Sequence, residues 1–330
     1  MEIFRSYRTL PPQAHGASVA LGNFDGVHRG HRAVIAEASA MARGRGRPLG
    51  VLVFEPHPRR FFAPETPPFR LTALETKARL LSALGVDALF ALTFDEAMAA
   101  MSPQDFVFDI LIGGLRVSHV VAGEDFRFGR GRAGDMTMLS YMGDAEGFGV
   151  TAVAPVFPDA DGNGTMADGQ ISSSSIRTAL REGRPQQAAR LLGRPWTVEG
   201  VVAAGDQRGR TIGFPTANVP LGEMLHPALG VYAVLIEVFG GPHGGVYEGV
   251  ANLGRRPTFD KTEVLLEAHV FDFAGDLYDT RISVALVDFL RPEKKFDGLE
   301  ALKTQIAIDA DSARAGLANA RAAGILPRML

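Results

Sequence analysis

The chain has 330 residues, 46% hydrophobic and 22% charged, with a formal net charge of −3; that is an ordinary globular composition, long for one core and comfortable for two domains. It contains no cysteine, which excludes disulfides, thiolate metal sites and cysteine nucleophiles. No run approaches a membrane span, Met1 to Arg8 lacks the apolar core of a signal peptide, and the slight acidity attracts no nucleic acid globally, so neither membrane nor nucleic acid is an expected partner and a cytoplasmic location is the default.

Taken in chain order, Ser18 to Leu21 reads as the end of a buried strand, and Arg32 to Arg43 carries alanines with Val34, Ile35 and Met41 at helical intervals. Between them lies Gly22-Asn23-Phe24-Asp25-Gly26-Val27-His28-Arg29-Gly30-His31. Its glycines permit a tight turn and close approach to a ligand, the helix start offers N–H groups to an anion, and His28 and His31 can face the same phosphate region. A strand-turn-helix of this kind points to a nucleotide triphosphate; a bare turn is the plainer alternative. Leu49 to Phe54, Asp87 to Phe94, Ser118 to Ala122 and Val150 to Val156 are further strand candidates with helical patterns between several of them. Thr72 with Glu75 has capping-box spacing before a helix through Leu84, and Ser102-Pro103 marks another helix start. This alternation predicts a Rossmann-like parallel sheet covered on both faces, with ligands at the carboxyl ends of its strands.

Composition changes near residue 185. After helical patterns at Ser174 to Arg181 and Pro185 to Leu192, the chain becomes strand-rich: Trp196 to Ala204, Gly230 to Phe239, Val246 to Asn252, Val264 to Phe273 and Arg281 to Leu290, with a last helix from about Leu299. Consecutive strands with Gly and Pro turns predict an antiparallel β-barrel. The fold class is thus α/β followed by β, with domains at residues 1–185 and 186–330. Within the barrel Leu266, Ala268 and Val270 share one strand face, leaving Glu267 and His269 on the other. On periodicity alone Glu267 is as well read as a solvated strand residue as a catalytic one. Thr216-Ala217-Asn218 alone reads as a turn, and Ser172 to Ser175 as a helix cap.

Several blocks in one order carry a resemblance over nearly the whole chain: Gly22 to His31; Phe54-Glu55-Pro56-His57-Pro58; Gly123-Glu124-Asp125-Phe126-Arg127-Phe128-Gly129; Ile171-Ser172-Ser173-Ser174-Ser175-Ile176-Arg177; Gly209-Arg210-Thr211-Ile212-Gly213-Phe214-Pro215-Thr216-Ala217-Asn218; Gly249 to Phe259; Leu266-Glu267-Ala268-His269; and Arg291-Pro292-Glu293 with Phe296. The chain resembles the bifunctional prokaryotic riboflavin kinase/FMN adenylyltransferases, also called FAD synthetases. The first domain is similar to the nucleotidyltransferase superfamily. The resemblance implies that Gly22, Phe24, Asp25, His28, His31, Ser173 and Arg177 bind ATP, with His28 and His31 stabilising the phosphates while AMP is transferred to FMN. It places Asp125 and Phe126 on the flavin side; His57, whose loop two prolines fix, and Asn23 are expected near the flavin or the phosphates and are taken as flavin-binding. The second domain is similar to riboflavin kinase, in which Gly209, Gly213, Thr216 and Asn218 bind ATP, Thr216 and Asn218 hold Mg2+, and Glu267 takes the proton from the riboflavin 5′-hydroxyl. ATP is then the co-substrate, and riboflavin, FMN and FAD are substrates and products. Gln207, Asp279-Thr280 and Ser174 depart from the usual pattern without removing an expected catalytic group.

Overall fold

Apolar runs too continuous to alternate form strands buried on both faces. In a computed structural model that describes residues 1–158, 169–203, 213–257, 262–322 and 324, the chain divides into two compact units, Met1–Thr66 with Leu74–Ile171 and Pro67–Ala73 with Ser172–Leu330.

In the first unit, β1 (Glu2–Phe4), β2 (Ser18–Leu21), β3 (Leu49–Glu55), β4 (Ala88–Thr93), β5 (His119–Gly123) and β6 (Gly149–Val153) form one sheet in the order β1-β4-β3-β2-β5-β6. Every pairing is parallel. Val19, Leu21, Leu52, Phe90 and Val120 face one apolar layer, and Ala20, Val51, Val53, Leu89 and Val121 face the other. The helices are α1 (Arg29–Arg45), α2 (Pro58–Phe62), α3 (Leu74–Ala83), α4 (Glu96–Ala100), α5 (Pro103–Asp105), which runs into a π-helical stretch at Phe106–Gly114, and α6 (Met136–Glu146). α1 buries Val34, Ile35, Ala38 and Ala42 and stops at Gly46, whose φ of 60° is left-handed. The chain lays β3 and β4 to one side of β2 and β5 and β6 to the other, so strand order reverses between β2 and β5. A crevice at the carboxyl ends of such a pair is the usual ligand position in an open parallel sheet.

The second unit holds α7 (Ser173–Arg181), α8 (Pro185–Leu192), β7 (Trp196–Val201), β8 (Ala217–Pro220), β9 (Gly230–Val238), β10 (Gly245–Pro257), β11 (Thr262–Val270), β12 (Arg281–Pro292) and α9 (Leu299–Ala322). The strands pair antiparallel in the order β7-β12-β9-β10-β11-β8. A bridge between Ala203 and Asn218 brings the end strands together and nearly closes a barrel. Val231, Ala233 and Leu235 of β9 pack with Ala313 and Leu317 of α9, while the intervening Tyr232, Val234 and Ile236 are also buried. Arg291 on β12 donates two bonds to the buried carboxylate of Asp309 on α9, at 2.8 and 2.7 Å. The segment Pro67–Ala73 belongs to this unit: Trp196 Nε1 donates to the Leu71 carbonyl at 2.9 Å, and Arg177 Nε to that of Phe69 at 2.8 Å.

Candidate functional site

β2 ends at Leu21, and the chain reaches α1 through a turn in which two non-glycine residues take positive φ, Phe24 at 47° and Val27 at 44°. Side chains tolerate that conformation only where surroundings impose it; here Phe24 and Val27 are both buried in the apolar layer under α1. His28 is the helix N-cap, its Nδ1 accepting the His31 amide at 3.2 Å. Because Nδ1 is the acceptor, Nε2 carries the proton that His28 can offer to an anion. The imidazoles of His28 and His31 stack with centroids 3.5 Å apart and 17° between planes. The Phe24 ring lies 5.1 Å from that of His31. The space at Gly30 is tight: a Cβ there would lie 3.2 Å from the His28 ring and 3.3 Å from the Ile171 carbonyl. Gly22, Asn23, Asp25, His28 and His31 are thus brought together in one turn at the carboxyl end of β2, with Asp25 and His28 buried. The positive end of the dipole of a helix as long as α1 suits a phosphate.

Two neighbouring strand ends add to this edge. β3 ends at Glu55, a cis peptide leads into Pro56, and His57 caps α2 by accepting the Arg59 amide on Nδ1 at 3.1 Å. Beside it stands an aromatic cluster missed by motif reading: Phe94 packs edge-on against Phe54 at 5.5 Å, Phe61 at 5.3 Å and Phe62 at 5.7 Å. Phe62 is 68% exposed. From β5 the chain passes through Gly123 to the exposed Asp125 and half-buried Phe126, whose ring stacks on buried Phe128 at 5.8 Å. Gly129, at φ 71°, passes so near Pro103 that a Cβ would come within 2.6 Å of it.

Sequence reasoning also misses Lys77. It lies on α3 between Leu74 and Leu81, on the apolar stripe, which is the signal that could have found it. Its Nζ donates to the Asn23 carbonyl at 2.9 Å and lies 3.7 Å from Glu55 Oε1.

Ser173 and Arg177 fall in the second compact unit. Ser172 and Ser175 form a reciprocal capping box at the start of α7, each hydroxyl accepting the other's amide at 3.1 Å. Ser173 begins the helix itself. Arg177 is buried, with Nε on the Phe69 carbonyl and its guanidinium 5.5 Å from the Phe69 ring centre.

In the same unit, β8 and β11 are paired so that Asn218 stands opposite Glu267, and Glu267 stands opposite Asn252 of β10 on its other side. Directly opposed residues of an antiparallel pair share a face, so Asn218, Glu267 and Asn252 form a row. Leu266, Ala268 and Val270 are buried, as the alternation required. Asn218 is 6% exposed, and its Oδ1 has no hydrogen-bond partner among the described residues. Thr216, Asn218, Ala268, Asp276 and Tyr278 line one cleft. A buried, unsatisfied neutral oxygen beside a threonine hydroxyl fits Mg2+, which takes one or two protein oxygens and completes its shell with phosphates and water. His269 braces the approach to Thr216, hydrogen-bonded through Nδ1 to the Pro215 carbonyl at 2.8 Å and edge-on to Phe214 at 5.4 Å. Gly213 has φ 85°; Gly209 and Gln207 lie outside the described residues.

Comparison with known proteins gives two matches in chain order. A family model described as FAD synthetase matches residues 10–166, and one described as riboflavin kinase matches residues 192–317. A bifunctional riboflavin kinase/FMN adenylyltransferase of Pseudomonas fluorescens is 42% identical over 316 residues, covering 96% of this chain and 97% of the other. Its namesake in Escherichia coli K12 is 42% identical, with 95% and 97% covered, and that of Bacillus subtilis 40% identical, with 92% and 93% covered. Among solved structures, one titled as a macrolide-efflux protein from Streptococcus pneumoniae superposes with a TM-score of 0.81 at 32% identity, over 95% of this chain and 98% of that one.

Proposed function

This chain belongs to the bifunctional riboflavin kinase/FMN adenylyltransferase family, and from that premise we propose how its residues divide two chemistries. The protein phosphorylates riboflavin to FMN with ATP and adenylylates FMN to FAD with release of pyrophosphate. The observation that carries the division is that the stacked pair His28–His31 and the opposed pair Asn218–Glu267 lie in different compact units. The likeness to the structure titled as an efflux protein supports the fold, and its title concerns that protein.

Adenylyl transfer is assigned to residues 1–185. An FMN phosphate oxygen attacks the α-phosphorus of ATP, the bond to the α–β bridging oxygen breaks, and pyrophosphate leaves with that electron pair. The obstacle is negative charge on both reactants, so donors fixed before reaction lower the barrier. His28 Nε2–H, His31 and the first N–H groups of α1 supply them, with Gly22, Phe24 and Asp25 shaping the turn; neither histidine is a nucleophile. The S-S-x-x-I-R segment supports Ser173 and Arg177 on the triphosphate. Asn23, His57, Asp125 and Phe126 are placed on the flavin side, where the half-exposed Phe126 and exposed Phe62 offer flat apolar surface.

Phosphorylation is assigned to residues 186–330. Glu267 takes the proton from the riboflavin 5′-hydroxyl as that oxygen attacks the γ-phosphorus, and the bond to the β–γ bridging oxygen breaks to release ADP. Thr216 and Asn218 would hold Mg2+, which when bound neutralises charge on the transferring phosphates. Gly209 and Gly213 are proposed to let the preceding loop approach ATP. A cytoplasmic location is proposed on the same footing, since the substrates include ATP and the chain has no cysteine.

The test is incubation of the purified protein with riboflavin, ATP and Mg2+, followed by chromatographic separation of flavins. FMN appearing first and FAD after it supports the reading; accumulation of FMN with no FAD removes the adenylyl-transfer assignment.

A further inference from the structure

We propose that Lys77 is a positioning residue for adenylyl transfer, one buried ammonium that sets both the phosphate-handling turn and the loop leading to His57. The inference rests on the assignment of that chemistry to the first unit.

Lys77 is 1% exposed, among the largest fully buried side chains of the molecule. An ammonium at that depth persists only where it is paired and hydrogen-bonded, because its desolvation is otherwise uncompensated. Packing alone gives no reason for the charge: a methionine of similar length would fill the same space on α3. What the ammonium provides is direction. It fixes the Asn23 carbonyl by a 2.9 Å hydrogen bond and draws the Glu55 carboxylate, itself only 12% exposed, to 3.7 Å.

These partners belong to the carboxyl ends of adjacent strands, β2 and β3. Asn23 immediately precedes Phe24, whose φ of 47° opens the turn that ends in the His28 cap. Holding the Asn23–Phe24 peptide in place therefore favours the strained backbone that delivers both imidazoles. Glu55 immediately precedes the Pro56-His57-Pro58 segment. Lys77 touches neither reacting phosphate in this account; it acts through the backbone that carries His28 and through the loop that carries His57.

The experiment uses the full-length protein and measures FAD formation from FMN, FMN formation from riboflavin, and thermal melting in the same preparations. Lys77→Met is expected to lower kcat for FAD formation about a hundredfold, the scale of an ångström of misplacement, and to raise the KM for FMN through the His57 loop, while the rate of FMN formation from riboflavin changes by less than about threefold. Lys77→Met combined with Glu55→Gln removes both buried charges and is expected to regain melting temperature without regaining kcat, since the Asn23 carbonyl is still unheld. A role in stability alone predicts that activity returns with melting. Either variant melting like the parent with parental kcat for FAD overturns the proposal. If both variants unfold, the NMR signal of the Lys77 ammonium in the unmutated protein decides: it is expected to shift when FMN and a non-hydrolysable ATP analogue bind, and an unchanged signal overturns the proposal. Failure of the unmutated protein to form FAD would instead refute the assignment of the unit.

Discussion

Asn218 and Glu267 stand directly opposite each other across the β8–β11 ladder. A neutral oxygen suited to Mg2+ and a carboxylate suited to accept a hydroxyl proton are therefore held on neighbouring strands whose register the ladder fixes. Glu267→Ala is expected to slow FMN formation by about a hundredfold or more, the usual contribution of a general base, while supplied FMN is still converted to FAD. Asn218→Ala is expected to raise the Mg2+ concentration needed for FMN formation and to be partly rescued by excess Mg2+. Flavin chromatography across a Mg2+ series checks both, and loss of FAD formation from supplied FMN in a folded Glu267→Ala protein contradicts the division of labour.

The stacked histidines of the first unit separate capping from chemistry. His28→Ala loses the cap that receives the His31 amide, costing on the order of 1 kcal/mol, together with the Nε2–H. His28→Asn restores a good cap but not a donor at that reach. Melting temperature is expected to recover in His28→Asn, whereas FAD formation stays depressed and FMN accumulates, most fully in His28→Ala with His31→Ala. Recovery of FAD formation along with melting would mean that His28 is only a cap.

The parallel sheet was legible because strands buried on both faces must be continuously apolar, as Val19 to Leu21 and Val51 to Val53 are. Glu267 could be placed on its face because Leu266, Ala268 and Val270 alternate with it and with His269. β8 could not be read locally: Thr216-Ala217-Asn218 has turn composition, yet Ala217 and Asn218 open a strand because β11 lies alongside in register. Lys77 escaped because its partners, a backbone carbonyl and a carboxylate, are far from it in sequence. For the same reason nothing in Pro67 to Ala73 announces membership of the second unit; its anchors Arg177 and Trp196 lie 108 and 125 residues from the carbonyls they hold.

Trp196 is the sole tryptophan and is 1% exposed, so its fluorescence reports on the second unit alone. Its emission is expected to be that of a buried indole in the folded protein and to move to the red as this unit opens. Trp196→Phe removes the indole hydrogen bond to the Leu71 carbonyl, at a cost of about 0.5–1.5 kcal/mol, which denaturant titration followed by far-UV circular dichroism will measure. Native emission at the wavelength of a solvated indole would contradict the buried setting.

The pH dependence of stability is expected to carry the mark of His119 on β5. Gly149, its partner in the β5–β6 ladder, has to be glycine, because a Cβ there would lie 2.1 Å from the His119 ring. The imidazole is 5% exposed and shares a 2.8 Å hydrogen bond between Nε2 and Thr151 Oγ1. Burial first, and the charge of Arg45 second, hold its pKa below the ordinary 6.5. Above the unfolded value both states are neutral, and the contribution to stability is fully present. As the pH falls below about 6.5 the unfolded chain takes up the proton first, and that contribution is lost progressively until the folded pKa is passed. Chemical denaturation is expected to show stability declining as the pH is lowered from 7.5 through 6.5 to 5.5, and His119→Gln is expected to flatten part of that decline. A variant whose stability falls with the parent's slope over that interval would show that His119 does not titrate differently in the two states.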